Sequence, residues 1–72
     1  MKYYVLIVDS GVEAETRGPF ATSAARDDDA RKVVGLPDFN HDYDSIFRMD
    51  VEADVPKIYS FAHDELYAEV EA

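Results

Sequence analysis

Six consecutive apolar residues near the start of the chain, YYVLIV at positions 3–8, constrain its fold more than any other feature. The run is rich in β-branched and aromatic side chains and is apolar at both alternations, so it predicts a strand with two water-avoiding faces. We therefore expect a central strand that is covered on both faces or lies at an interface with a partner. Asp9 interrupts the run too early for an export signal or a membrane span, which favours a cytoplasmic protein.

A turn signal follows this run and predicts a β-hairpin. Residues 9–11 are Asp, Ser and Gly, and residues 12–17, VEAETR, then alternate between small or apolar and charged side chains. The charges on this second strand suit an exposed sheet edge.

Residues 23–34 carry the signals of a single helix. Thr22 or Ser23 can cap its start, Gly35 can end it, and Pro37 follows just beyond. The apolar stripe lies towards its C-terminal end and consists of Ala30, Val33 and Val34. We therefore expect the helix to be held against the sheet mainly by its C-terminal half.

The second half of the chain predicts another hairpin and a tail. Residues 46–51 alternate as a strand whose core face would be Phe47, Met49 and Val51. Residues 52–56 predict a turn, residues 57–61 the return strand, and residues 62–72 a short acidic helix or tail. The expected fold is one α+β domain over residues 1–72, an antiparallel sheet in the order β-β-α-β-β with one helix across a face.

Charge is the strongest global signal in the sequence. Sixteen acidic residues against seven basic ones give a net charge of −9, and residues 33–72 contain ten of the acids but only two bases. Such a chain is expected to avoid direct contact with nucleic acid and with anionic membranes. The acidity either keeps a small protein soluble or forms a surface for a basic partner.

The loop DFNHDYDS at positions 38–45 resembles a calcium-binding loop in part. Oxygen-bearing side chains stand at positions 1, 3, 5 and 7 of an EF-hand count, namely Asp38, Asn40, Asp42 and Asp44. However, Tyr43 occupies the position of the turn glycine, and Met49 that of the closing bidentate glutamate. Weak calcium binding is therefore a minor alternative, and we expect no specific metal site and no cofactor.

Catalytic patterns are also absent from the sequence. The chain has no cysteine, its two histidines, His41 and His63, lie far apart, and no motif places either beside a serine. No glycine-rich phosphate loop is present. We therefore expect a protein that is not an enzyme.

Aromatic residues among the acids predict a binding surface instead. Phe39 and Tyr43 lie in the polar loop, where rings surrounded by charge are typical of interface anchors; the alternative is that one or both rings fold back onto the core. Asp50, Glu52 and Asp54 alternate and would project to one side of an extended chain, or form an ordinary solvated turn. The predicted partner-binding residues are Asp38, Phe39, Asp42, Tyr43, Asp44, Asp50, Glu52, Asp54, Asp64 and Glu65.

The layout of the whole chain resembles that of small phage-encoded inhibitors, notably anti-CRISPR proteins. The resemblance is carried by the YYVLIV strand, the helix at TSAARDDDARKVV, the strand SIFRMDV, the lack of cysteine and the density of acids. It implies a DNA mimic that covers the basic nucleic-acid-binding surface of a protein machine such as a CRISPR effector. The alternative is a small accessory protein, a possible homodimer, in which the first strand and the edge at residues 12–17 pair between chains.

Overall fold

The computed structural model describes residues 1–9, 13–62 and 66 of the chain. Within these residues, one four-stranded antiparallel sheet has the strand order β2-β1-β3-β4, and one helix packs on it. The elements are β1 (Lys2–Asp9), β2 (Glu13–Phe20), α1 (Ser23–Val34), β3 (Ser45–Glu52) and β4 (Val55–Ser60). The predicted α+β class and β-β-α-β-β order are confirmed. The predicted C-terminal helix lies outside the described residues, apart from Leu66.

β2 extends three residues beyond its predicted end because the chain bulges at Gly18. The backbone of Gly18 has a φ of 126°, and a Cβ there would lie 2.9 Å from the carbonyl oxygen of Tyr3. The Gly18–Pro19 peptide bond is cis, and the register shifts so that Phe20 pairs with Tyr3. The bulge thus brings Phe20 to the side of the sheet where the helix packs.

The helix begins and ends where the sequence predicts. The side-chain oxygen of Thr22 accepts a hydrogen bond from the backbone N–H of Ala25 at 3.1 Å. Gly35 follows the last helical residue, and its N–H donates to the carbonyl oxygen of Lys32 at 3.1 Å. With 12 residues, α1 is too short to cross a membrane, and no helix in the described part of the chain is long and apolar enough to do so.

A two-residue turn connects β3 to β4, shorter than the predicted turn at residues 52–56. Glu52 pairs with Val55, and the two residues between them, Ala53 and Asp54, have φ angles of 53° and 66°. Positive φ at both central positions is the geometry of a type I′ turn, which matches the twist of a hairpin. Pro56 lies within β4, an edge strand, where its missing N–H is tolerated.

The hydrophobic core lies between α1 and one face of the sheet. Its buried members are Val5, Ile7, Ala30, Val33, Val34 and Leu66. Val5 pairs with Arg48, and Ile7 with Ile46, so the even-numbered residues of β3 face the helix.

The predicted core face of β3 is therefore wrong. Phe47, Met49 and Val51 pair with residues of β1 that alternate with the buried Val5 and Ile7, so they project from the opposite side of the sheet. The physical reason is that the helix side of β3 carries Arg48 and Asp50, whose charges meet partners supplied by α1.

An acidic groove as candidate functional site

A cluster of charged side chains joins the N-terminal half of α1 to β3 and β4; we call Arg26, Asp27, Arg48, Asp50 and Tyr59 the Arg26 cluster. The Arg26 side chain is only 2% exposed. Its Nη1 donates to Oδ1 of Asp50 at 2.5 Å, and its Nε donates to Oδ1 of Asp27 at 2.6 Å. Nε of Arg48 lies 3.5 Å from the same Asp27 oxygen, and the Tyr59 hydroxyl donates to Asp50. The N-terminal half of the helix is thus also held to the sheet, in addition to the buried apolar residues of its C-terminal half.

The hydrogen bonds of the Arg26 cluster favour a charged Asp50 and a neutral Tyr59. Burial alone would raise the pKa of Asp50, but hydrogen bonds from Tyr59 and Arg26 outweigh burial and lower that pKa. The hydrogen bond to Asp50 raises the pKa of the Tyr59 hydroxyl. The carboxylate of Asp50 therefore accepts hydrogen bonds from Arg26 and Tyr59 of the same chain and is not presented to a partner.

The other arginines are likewise engaged by aspartates. Arg17 on β2 makes a bidentate contact with Asp29 on α1, with N···O distances of 2.6 and 2.9 Å. This contact lowers the pKa of Asp29 and raises that of Arg17. Arg31 contacts Asp28 on the helix surface at 2.7 Å. All four arginines of the chain thus contact aspartates of the same chain, which leaves the acids elsewhere on the surface with little basic compensation.

The loop between α1 and β3 closes on its own polar groups. Oδ1 of Asn40 accepts from the N–H of Asp42, and Oδ2 of Asp44 accepts from the N–H of Asn40, both at 2.9 Å. These side-chain oxygens therefore stabilise a turn, as is typical of Asn and Asp in loops. Among residues 1–9, 13–62 and 66, no three His, Asp or Glu side chains are grouped so that they could hold a metal ion.

The two aromatic residues of this loop have different positions. Phe39 is half-buried against the core, and its ring makes an edge-to-face contact with His41 at a centroid distance of 5.0 Å. Tyr43, in contrast, is 67% exposed. Of the two predicted anchors, Phe39 is therefore mainly a core residue, and Tyr43 is accessible to a partner.

A groove of about 490 Å³ lies where this loop meets the C-terminal end of α1 and the β1–β2 hairpin. Its apolar lining comes from Ile7, Val33, Leu36 and Phe39. Its carboxylates come from three segments of the chain and are Asp9, Glu15, Asp38 and Asp44. Arg17 also lines the groove, but its guanidinium is held by Asp29.

The sheet topology brings these acids together. β1 ends beside the first residue of β3, because Val8 pairs with Ser45, and the hairpin places Glu13 opposite Asp9. The C-terminal end of β1, the start of β2 and the acidic loop therefore share one end of the sheet. Clustered carboxylates around a concave apolar surface concentrate negative potential and can receive a cationic side chain.

The predicted partner-binding residues divide between two ends of the molecule. Asp38, Phe39 and Asp44 line the groove, with the exposed Asp42 and Tyr43 on the same loop. Glu52 and Asp54 lie at the far end of β3, roughly 25 Å away at about 3.3 Å per residue. Asp50 belongs to the Arg26 cluster, and Asp64 and Glu65 lie outside the described residues.

Sequence reasoning missed two of the four acidic residues of the groove. From the neighbouring sequence alone, Asp9 is typical of a turn and Glu15 of an exposed edge strand. Only the sheet topology could have identified them: if β1 pairs antiparallel with β3, the Asp9 end of β1 lies beside the acidic loop. No protein-family model, curated protein or solved structure matches this chain.

Proposed function

We propose that this protein is a non-enzymatic interaction module whose acidic groove binds a basic segment of a partner protein. The observation that supports this most is the groove itself, which is lined by carboxylates from β1, β2 and the loop together with apolar side chains. The net charge of −9 extends the same sign over the molecule and favours rapid encounter with a basic surface.

The groove suits the chemistry of lysine and arginine side chains. Both have an aliphatic stem that can lie on apolar residues such as Leu36 and Phe39 while the charged head contacts a carboxylate. Asp38 and Glu15 come from different segments, the loop and β2, and both are exposed. Tyr43 on the same loop offers an aromatic anchor at the rim of the contact.

The partner class that we propose is a protein machine that binds nucleic acid, such as a CRISPR effector. Its basic channel is complementary in sign to this chain, and occupation of the channel by carboxylates would exclude the phosphate backbone. The protein would then act as an inhibitor by mimicry of DNA.

The test uses two double variants that remove the same charge from opposite ends of the molecule. Glu15→Gln with Asp38→Asn removes two of the four carboxylate charges that line the groove, and Glu52→Gln with Asp54→Asn is the matched control. Partners are captured from host extract by each protein at low and at high salt and identified by mass spectrometry. The affinity of the purified partner is then measured, together with displacement of a labelled DNA duplex from it.

Two partly exposed ion pairs contribute about 0.5–1 kcal/mol each, so the groove variant should bind roughly 5–30-fold more weakly. The control should bind within about twofold of the unchanged protein, and salt should weaken all binding. Equal weakening by both variants would remove the groove from the proposal. A partner that keeps its DNA when this protein binds would contradict the inhibitory role.

A further inference from the structure

The side of the sheet opposite α1 is an apolar surface, which we call the open face. Its central residues are half-buried and come from β1 and β3: Tyr4, Leu6, Val8, Phe47, Met49 and Val51. α1 packs on the other face, against Val5 and Ile7, and within the described residues it is the helix that covers the sheet. A sheet face this apolar normally packs against a second layer.

We propose that the open face binds the open face of a second copy of this chain and forms a symmetric dimer. A two-fold interface places the same patch of each copy against the other, so the patch must be complementary to itself. Uncharged apolar side chains meet this condition, and sheets pack face to face at about 10 Å in this way.

The distribution of charge over the described residues favours a second copy over a charged partner. On the open face, the described side chains of all four strands are uncharged except that of Lys2 at one end. The acids of the sheet, such as Glu15, Asp50 and Glu52, alternate onto the helix side. Two chains of net charge −9 can therefore approach through this face while their carboxylates point outwards.

The area of the open face is close to the lower limit for a specific interface. Four strands about 4.8 Å apart, with six to eight residues at about 3.3 Å each, give a face of roughly 400–500 Å². Two such faces together give about 800–1,000 Å², at the lower limit for a specific protein–protein interface. We expect a dimer that dissociates on dilution.

The dimer differs from pairing through sheet edges. β1 has β2 on one side and β3 on the other, so the first strand has no open edge to offer to another chain. Of the two segments expected to pair between chains, only β2 lies at a sheet edge.

The test compares two substitutions on β4 that differ in the face they occupy. Ile58 is 54% exposed and pairs with Met49 on the open face, whereas Val55 is 60% exposed and pairs with Glu52 on the helix side. Ile58→Glu and Val55→Glu introduce the same charge on the same strand at similar exposure. Mass is measured by sedimentation equilibrium from micromolar concentrations to about 1 mM.

The unchanged protein should approach twice its monomer mass of 8.1 kDa, and added salt should strengthen association by screening the repulsion between copies. Ile58→Glu should raise the dissociation constant at least about tenfold, and Val55→Glu about twofold or less. Thr16→Glu, at an exposed position opposite Leu6, should weaken association as Ile58→Glu does. Agreement between the two variants would show that the effect of Ile58→Glu is not a folding defect at that one site.

A monomer at all concentrations would overturn the proposal, and so would equal weakening by Ile58→Glu and Val55→Glu. Amide chemical shifts that change on dilution should map to β1 and β3 of the open face. Changes confined to the β2 edge would instead assign the dimer to strand pairing and contradict the face-to-face arrangement.

Discussion

The Arg26–Asp50 contact allows a sharp test of what holds the helix to the sheet. In Asp50→Asn, one of the two carboxylate oxygens becomes an amide donor, so the side chain can no longer accept from both Arg26 and Tyr59. The change removes about one charge-assisted hydrogen bond, worth roughly 1.5–3 kcal/mol, and leaves a buried guanidinium with less compensation. We expect the free energy of unfolding to fall by about 2–3 kcal/mol.

That loss is large for a domain of 72 residues, whose total stability is of the order of 4–11 kcal/mol. At about 4–8 °C per kcal/mol, the midpoint of thermal unfolding should fall by roughly 10–20 °C. The measurement is thermal and urea unfolding followed by circular dichroism at one fixed, low protein concentration, because a dimer would make the midpoint depend on concentration.

The matched control is Asp28→Asn, which makes the same chemical change at a surface ion pair. The side chains of Asp28 and Arg31 are 70% and 40% exposed, so this variant should lose about 0.5 kcal/mol or less. Equal losses in the two variants would contradict the role given to burial.

The dependence on pH supplies a second check of the same reasoning. The pKa of Asp50 is lowered in the folded state, so its contribution is present above the usual value of 3.8 and is lost as the pH falls through the lowered folded value. The difference in stability between the unchanged protein and Asp50→Asn should therefore shrink below about pH 4. A difference that stays constant in acid would mean that the charge of Asp50 is not what stabilises the contact.

Two further predictions concern backbone conformation, and both are tested by measuring thermal unfolding. Gly18→Ala places a methyl group 2.9 Å from the backbone oxygen of Tyr3 at a residue with positive φ, and it should lower the free energy of unfolding by about 2–3 kcal/mol. The control is Gly35→Ala, where the added methyl group has no atom nearer than 3.6 Å, and it should change the free energy of unfolding by less than about 1 kcal/mol. Replacing the turn residues Ala53 and Asp54 with Asn and Gly should raise stability by about 1 kcal/mol, since both adopt positive φ; an unchanged midpoint would count against a strained turn.

The order of elements could be predicted because its signals are local. The apolar run, the Thr22 cap, the Gly35 stop and the alternation after Ser45 each depend on a few neighbouring residues. Most element boundaries accordingly agree within a few residues. The extension of β2 to Phe20 was not predictable in this way, because it depends on a bulge whose pairing partner, Tyr3, lies on another strand.

The side of the sheet that receives the helix could not be read from the strands alone. The alternation of β3 offers an apolar set, with Phe47 and Met49, and a mixed set, with Arg48 and Asp50, and the apolar set suggests the core. The mixed set faces the helix because Arg26, 24 residues earlier, lies in reach of Asp50. A pairing of this kind depends on the tertiary fold, and local periodicity does not contain it.

The acidic groove and the open face lie on opposite sides of the same sheet, so partner binding and dimer formation can be tested independently. The groove is lined by Ile7 and Val33 on the helix side, so a dimer formed through the open face leaves both grooves accessible. Salt should weaken contacts in the groove and strengthen contacts between open faces. Ile58→Glu should therefore dissociate the dimer without changing the affinity of a single groove for its basic partner, and each proposal can fail while the other stands.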